Sequence, residues 1–212
     1  MNIIDAYKNK FGNFIVLISG LSGTGKTKVA KTLATELNLK FINLSNYYDV
    51  DKLKEIELPN NIKVKNWFST DIINWDKLNE DINAMKEGVI VTGIGFPEEK
   101  INAKQIIHIH IKIPKEDLLK KRADFKKEHK TEDIDKETEK IIMEKYTYPF
   151  YEKITKEGRI NKFINIKEMS EEKIIDDVFN ILMKIVQDKL YKESKDIVWN
   201  EEKKCYEKII SK

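Results

Sequence analysis

The stretch GLSGTGKT at residues 20–27 constrains the fold of this 212-residue chain more than any other segment. It holds three glycines and ends in Lys26 and Thr27. Before it, residues 14–19 read FIVLIS, a short apolar, β-branched run that predicts a buried strand. After it, residues 26–37 read KTKVAKTLATEL, with Val29, Ala30, Leu33 and Leu37 on one helical face. Strand, glycine turn and helix in that order are the setting of a phosphate-binding loop. Gly20, Gly25, Lys26 and Thr27 complete the pattern GxxxxGK followed by Ser or Thr. Glycine at positions 20, 23 and 25 lets the backbone curl until its amides face a β-phosphate, and the open helix N-terminus adds partial positive charge. Lys26 would then reach the β- and γ-phosphates, and the Thr27 hydroxyl would take a Mg²⁺ ion. The spacing GxxGxG is not the GxGxxG of dinucleotide folds, which argues against NAD. The expected nucleotide-binding residues are Gly20, Leu21, Ser22, Gly23, Thr24, Gly25, Lys26, Thr27 and Lys28, with ATP and Mg²⁺ as the cofactors.

The rest of the chain repeats the alternation. FINL at 41–44, VIVTG at 89–93, IIHIHI at 106–111 and FINI at 163–166 predict four more strands. Helical patterns fall at about 75–87, 115–129 and 134–146, and most clearly at 170–190. There Ser170 offers a cap, Glu171 and Glu172 suit the first turn, and Ile174, Ile175, Val178, Phe179, Leu182 and Val186 form an apolar stripe. Strands separated by helices of this length predict an α/β three-layer sandwich. A five-stranded parallel sheet would carry helices on both faces, with a small lid region at about 115–148. The main domain is expected over residues 1–190, followed by a polar appendage at 191–212 in which Trp199 and Tyr206 are candidate anchors.

Charge and cysteine narrow the class. Basic residues number 39 against 36 acidic, a net +3, far from the positive stripe of a nucleic-acid protein, although a polynucleotide partner stays open. Only Arg122 and Arg159 are arginine, so the bidentate fork is used sparingly. A single cysteine, Cys205, leaves no internal disulfide and fits a reducing compartment. No run approaches the roughly 18 apolar residues of a membrane span, and the first residues lack a signal-peptide pattern. A soluble, cytoplasmic protein is expected, with self-association left open.

Three further stretches bear on the acceptor side: LSNYYD at 44–49, FSTDIINWDKL at 68–78 and VIVTGIGFP at 89–97. With the glycine loop, and in this order over roughly residues 14–166, they resemble the uridine kinase-like branch of the P-loop kinases. That branch includes nicotinamide riboside kinase and phosphoribulokinase. The resemblance implies ATP-dependent phosphoryl transfer to the hydroxyl of a small molecule, with a nucleoside such as uridine or cytidine as first choice. The chain departs from the family where the acids belong. Ser45 or Asn46 stands where the family carries a catalytic Asp, Thr92 where its third strand ends in an acid, and FST where it has an acid-bearing segment. Asp49 is then the first candidate for the carboxylate that orients the hydroxyl and takes its proton, and Asp71 the second. Asp71 could equally bind substrate or cap a helix near Thr70. Tyr48 and Phe68 are the candidate substrate contacts, with Tyr47 and Trp67 beside them, although aromatics are also ordinary core residues.

LLKKRADFKKEHK at 118–130 resembles the family's basic lid, which makes Arg122 the candidate cation on the transferring phosphate. His108 and His110 alternate on one strand face and read as neutral residues at the edge of the core, with no third ligand for a metal. Two other functions stand against the kinase: a P-loop ATPase or polynucleotide kinase, and a catalytically silent nucleotide-binding protein.

Overall fold

The computed structural model describes residues 3–118, 120, 135–195, 197–200 and 205–208, with side chains described as far as residue 192. Helix α1 (Ile3–Phe11) leads into strand β1 (Ile15–Gly20), which is buried along its whole length. Helix α2 (Lys26–Glu36) and strand β2 (Lys40–Asn43) follow. A short antiparallel hairpin, β3 (Glu55–Glu57) and β4 (Lys63–Lys65), precedes helix α3 (Trp75–Ala84). Strands β5 (Val89–Gly93) and β6 (Ile106–Lys112) come next. Helix α4 (Lys136–Ile142) then passes through a π turn (Met143–Thr147) into α5 (Tyr148–Lys156). Strand β7 (Lys162–Asn165), the long helix α6 (Glu171–Lys195) and an antiparallel pair, β8 (Ile197–Asn200) with β9 (Cys205–Lys208), complete the order.

The five long-range strands form one parallel sheet in the order β2-β5-β1-β6-β7, as the alternation predicts. On one face Val16 and Ile18 of β1 pack with Val29, Ala30 and Leu33 of α2 and with Ile174, Val178, Leu182 and Val186 of α6. On the other, Ile15 and Leu17 meet Leu44, Leu78, Ile82 and Phe96. Burying such side chains contributes about 1.5–3 kcal/mol each, and being covered on both faces is why β1 has no polar alternation. Because β1 is central, its C-terminal edge is where the sheet presents a ligand.

Local chemistry sets the helix ends. Helix α2 stops at a left-handed Asn38 (φ 50°), where Leu39 N–H donates to the Ala34 carbonyl at 2.8 Å and Asn38 N–H to the Thr35 carbonyl at 3.2 Å. Asn74 caps α3 by accepting from Lys77 N–H at 3.0 Å. Ser170 accepts from Lys173 N–H at 3.3 Å, in line with its expected capping role. Three predicted boundaries are corrected. The helix expected at 75–87 ends at Ala84, the one expected at 134–146 begins at Lys136 and continues through the π turn to Lys156, and the last helix runs past residue 190 to Lys195. Of the segment expected at 115–129, residues 115–118 and 120 are helical and the rest lies outside the described residues. Among the described residues no helix is long and apolar enough to cross a membrane.

Candidate functional site

The loop after β1 is built by its glycines. Gly20 has φ +155°, and a Cβ there would sit 2.5 Å from the Ile111 carbonyl oxygen of β6, so no other residue lets the two strands approach so closely. Gly23 and Gly25 also take positive φ, 95° and 79°. Thr24 is buried and pins the turn, its Oγ1 donating to the Leu21 carbonyl at 2.9 Å and its N–H to the same oxygen at 3.3 Å. Gly25 is the N-cap of α2 and supplies no side-chain acceptor. The first-turn amides therefore have no side-chain cap, and that arrangement receives an anion. Lys26 Nζ lies across the loop and donates to the Leu21 carbonyl at 3.2 Å. Lys26 is the first residue of α2 and Thr27 the second. The Lys28 ammonium pairs with Glu171 of α6, and its backbone N–H donates to the Gly25 carbonyl at 3.0 Å.

Directly under the loop lies a polar cluster that the sequence reading missed. Ser19 Oγ sits 2.6 Å from His108 Nε2 and 2.7 Å from His110 Nδ1. His110 Nε2 is 2.5 Å from the Tyr151 hydroxyl of α5, and the two rings stack at 5.3 Å. Ser19, His108 and His110 are all buried. Burial pushes the His108 pKa down to about 4. For His110 burial, then the charges of His108, Lys112 and Lys26, push it to about 3. Both rings are therefore neutral, as the strand pattern led us to expect. A period of two was the available signal: it put both rings on one face, but only the register of β1 against β6, Leu17 with His108 and Ser19 with His110, brings Ser19 between them.

The acceptor candidates fall into two clefts. One, of about 450 Å³, is lined by Asn46, Tyr47, Tyr48, Asp49, Asn74, Lys77 and Asp81. Here Tyr47 donates its hydroxyl to Asp81 at 2.7 Å, and Lys77 pairs with the same carboxylate at 3.0 Å. Asp49 caps the turn Val50–Lys52 by accepting from Asp51 N–H at 3.2 Å, and it pairs with Lys52 at 3.1 Å. The bond from Lys52 holds its carboxyl below the usual range. The second cleft, of about 410 Å³, is lined by Asn66, Phe68, Ser69, Thr70, Asp71, Lys145, Tyr146, Pro149, Phe150 and Lys153. Phe68 stacks on Tyr146 at 6.0 Å and meets the edge of Phe150 at 6.5 Å.

Phe68 and Asp71 thus come together, whereas Tyr48 and Asp49 line the other cleft; Tyr48 touches Trp67 at 6.0 Å between them. The helix-cap reading of Asp71 is corrected: Ser69 caps that turn, accepting from Asp71 N–H at 3.1 Å. No described residue engages the exposed Asp71 carboxylate. Tyr146 and Phe150 escaped sequence reading because the π turn, invisible in a 3.6-residue period, rotates them toward Phe68.

Thr92, at the end of β5 where an acid was expected, is buried between Ile18 and Asn43, and its hydroxyl has no partner among the described residues. Arg122 lies outside the described residues, as do residues 119 and 121–134 of the expected lid. Arg159 is a surface residue paired with Glu98 at 3.6 Å. Among the described residues no group of three or more His, Cys, Asp or Glu could hold a metal.

The model of the AAA domain matches residues 16–143, from the first strand through the loop and the first cleft to the start of the π turn, and takes in the Asn66–Asp71 side of the second cleft. The chain belongs to the AAA domain family. Among solved structures, this AAA-domain chain is similar to an uncharacterized protein from Eubacterium ventriosum at 17% identity, with 82% of this chain and 99% of that one covered and a TM-score of 0.53. A sugar kinase from Janibacter sp. aligns at 13% identity over 80% of this chain and 94% of its own, also with a TM-score of 0.53. A gluconokinase from Sinorhizobium meliloti gives 13%, 86%, 98% and 0.53 on the same measures. At such identities the likeness is one of fold and singles out no branch, the uridine kinase-like one included. No curated protein matches the chain.

Proposed function

We propose that this AAA-domain protein is an ATP-dependent small-molecule kinase that transfers the γ-phosphoryl group of ATP to a hydroxyl, with a nucleoside as the first acceptor to test. The observation that carries the reading is the pairing of a glycine-capped phosphate loop at the edge of the central strand with a cleft where stacked aromatics flank an unengaged carboxylate. The loop amides and Lys26 hold the β- and γ-phosphates. Thr27 would hold Mg²⁺, which when bound offsets phosphate charge; one protein hydroxyl suits a cation that keeps several waters and phosphate oxygens as ligands. Phe68 and Tyr146 present flat apolar faces for a base. The acceptor oxygen attacks the γ-phosphorus as the bond to the β-phosphate oxygen breaks; its proton passes to a carboxylate and ADP leaves.

Asp71 is the better carboxylate for that step. Asp49 already spends its oxygens on Lys52 and on its own turn, whereas Asp71 faces the aromatic cleft. Arg122 keeps its role as the cation on the transferring phosphate, which rests on its place in the sequence. The test is a radiolabelled-phosphate transfer screen over nucleosides, sugars, vitamins and oligonucleotide ends. Asp71→Asn should slow transfer by about 10²-fold or more, the typical scale of positioned acid–base catalysis, and Asp49→Asn by far less. The reverse order moves the role to Asp49, and preference for oligonucleotide ends makes the enzyme a polynucleotide kinase. If Mg-ATP binds and no acceptor is phosphorylated, the chain is a silent nucleotide binder. Thr92, a hydroxyl in place of an acid, favours that second reading.

A further inference from the structure

Beneath the loop, the Ser19 cluster joins two parts of the protein that the kinase reading treats separately. Ser19 directly precedes Gly20, the first loop residue. His110 directly precedes Ile111, whose carbonyl lies against Gly20. At the other end, Tyr151 follows Pro149 and Phe150, both of which line the aromatic cleft. We infer that the buried chain Tyr151–His110–Ser19–His108 couples the phosphate loop to helix α5, and that Tyr151 and His110 are positioning residues through which nucleotide binding orders the acceptor cleft. The inference rests on the loop holding a nucleotide, as proposed above.

The chemistry of the chain makes it a single unit. A serine hydroxyl has one proton, so Ser19 donates to one ring and must accept from the other. A neutral imidazole carries one N–H and one lone pair, so each ring can pass the direction on but cannot reverse it. The Arg159 backbone accepts from the other nitrogen of His108, which leaves His108 Nε2 as an acceptor and sets the direction of the whole chain. Tyr151 donates to His110 Nε2, His110 Nδ1–H donates to Ser19, and Ser19 donates to His108. A change in the strength of one bond is felt by all three, because bonds linked in series inside a dry interior reinforce one another.

The groups facing His110 are Ser19 of β1, His108 and Lys112 of its own strand, Lys26 of α2, Tyr151 of α5 and the Phe163 ring of β7, edge-on at 5.4 Å. Lys26 is the group a nucleotide would engage. Phosphates on Lys26 would offset one of the positive charges that face His110, which makes its Nε2 a stronger acceptor for the Tyr151 hydroxyl. The tyrosine at the far end is then held more firmly. The π turn just before α5 gives that helix the slack to adjust, since such turns lengthen a helix by one residue without breaking it.

The experiment is amide hydrogen exchange on the full chain with and without Mg²⁺ and the non-hydrolysable analogue AMPPNP. Wild type should show slower exchange at residues 20–27 and, through the chain, about fivefold or more slower exchange at 148–156, the low end of ordinary coupling between sites. Tyr151→Phe removes one hydroxyl; it should keep the slowing at 20–27 within about twofold and lose it at 148–156. Glu152→Ala, on the same helix but outside the chain, should retain both. Slowing at 148–156 that is equal in wild type and Tyr151→Phe, or absent from wild type while 20–27 is slowed, overturns the inference and leaves the nucleotide reading standing. No slowing at 20–27 in wild type removes both. As a check that needs no variant, nitrogen-15 imidazole spectra should show one tautomer per ring and a shift of His110 Nε2 on adding the analogue. A spectrum indifferent to the analogue counts against the coupling.

Discussion

The two buried histidines should make the fold sensitive to acid. In an unfolded chain each ring takes a proton near pH 6.5, whereas in the native state burial holds His108 at about 4 and His110 at about 3. Above pH 6.5 both states are neutral and the rings cost the fold nothing. As the pH falls below 6.5 the unfolded state binds protons that the native state refuses, so stability drops, and the loss levels off only below the native values. Between pH 7 and pH 5 the linkage gives about 2 kcal/mol per ring, or about 4 kcal/mol for the pair, at roughly 1.4 kcal/mol per pH unit per proton. Against a typical total of about 5–15 kcal/mol that is a large fraction. The carboxylates held low, such as Asp81 beside Tyr47 and Lys77, lose their contribution only as pH falls through and below the ordinary carboxylate range, so they do not confuse this window. Urea unfolding at pH 7 and pH 5 should therefore show a marked fall in midpoint for wild type. A variant carrying both His108→Gln and His110→Gln, neutral at either pH, should start less stable and then stay nearly flat. Equal wild-type stability at the two pH values, or ring proton resonances that titrate near 6.5 in the folded protein, would refute the reasoning.

Lys26→Ala should weaken Mg-ATP binding by about tenfold to a hundredfold in calorimetry, the loss of a charge-assisted bond, and abolish transfer. Phe68→Ala should raise the KM of an aromatic acceptor by about fivefold to a hundredfold with the ATP KM unchanged, as expected for a lost base–aromatic stack; steady-state kinetics with each substrate varied will decide. Arg122→Lys retains the charge but not the fork, so kcat should fall while nucleotide affinity, read by calorimetry, moves little.

What was legible in the sequence is what one element settles by itself. The glycine loop needs no partner to announce itself, because only glycine tolerates φ of 79° and 95° and only lysine and a hydroxyl complete the pattern. The buried strands declared themselves by unbroken apolar runs, and Ser170 by its place before two glutamates and an apolar stripe. What two elements make together was not legible. Ser19 reads as one more small residue in a strand until register sets it between two histidines. The β3–β4 hairpin is too short and too charged, EIE against KVK, to stand out from a loop. The aromatic cleft joins Phe68 to residues about eighty positions away, through a turn with no sequence period of its own.

Thr92 belongs to both classes at once. Its identity is plain from the sequence, but its meaning depends on what surrounds it. A buried hydroxyl without a partner costs about 1–3 kcal/mol, which a valine or alanine at that strand position would avoid. Persistence of the hydroxyl is understandable if it meets a polar group when the site is filled. The central strand is its neighbour at Ile18, one residue before Ser19 and two before the loop, so a ligand at the loop is one source of such a group. A threonine can bond to a water or a phosphate oxygen there but cannot anchor a divalent cation as a carboxylate does. On the kinase reading proposed above, with no acid on β5, a cation at this site would be carried mainly by the nucleotide's own oxygens, with Thr27 as its protein ligand. Binding of nucleotide without Mg²⁺ should then be weaker but measurable, and free Mg²⁺ should show no affinity for the protein in the absence of nucleotide. Calorimetric detection of Mg²⁺ binding to the protein alone at this site, lost in Thr27→Ala, would contradict that account.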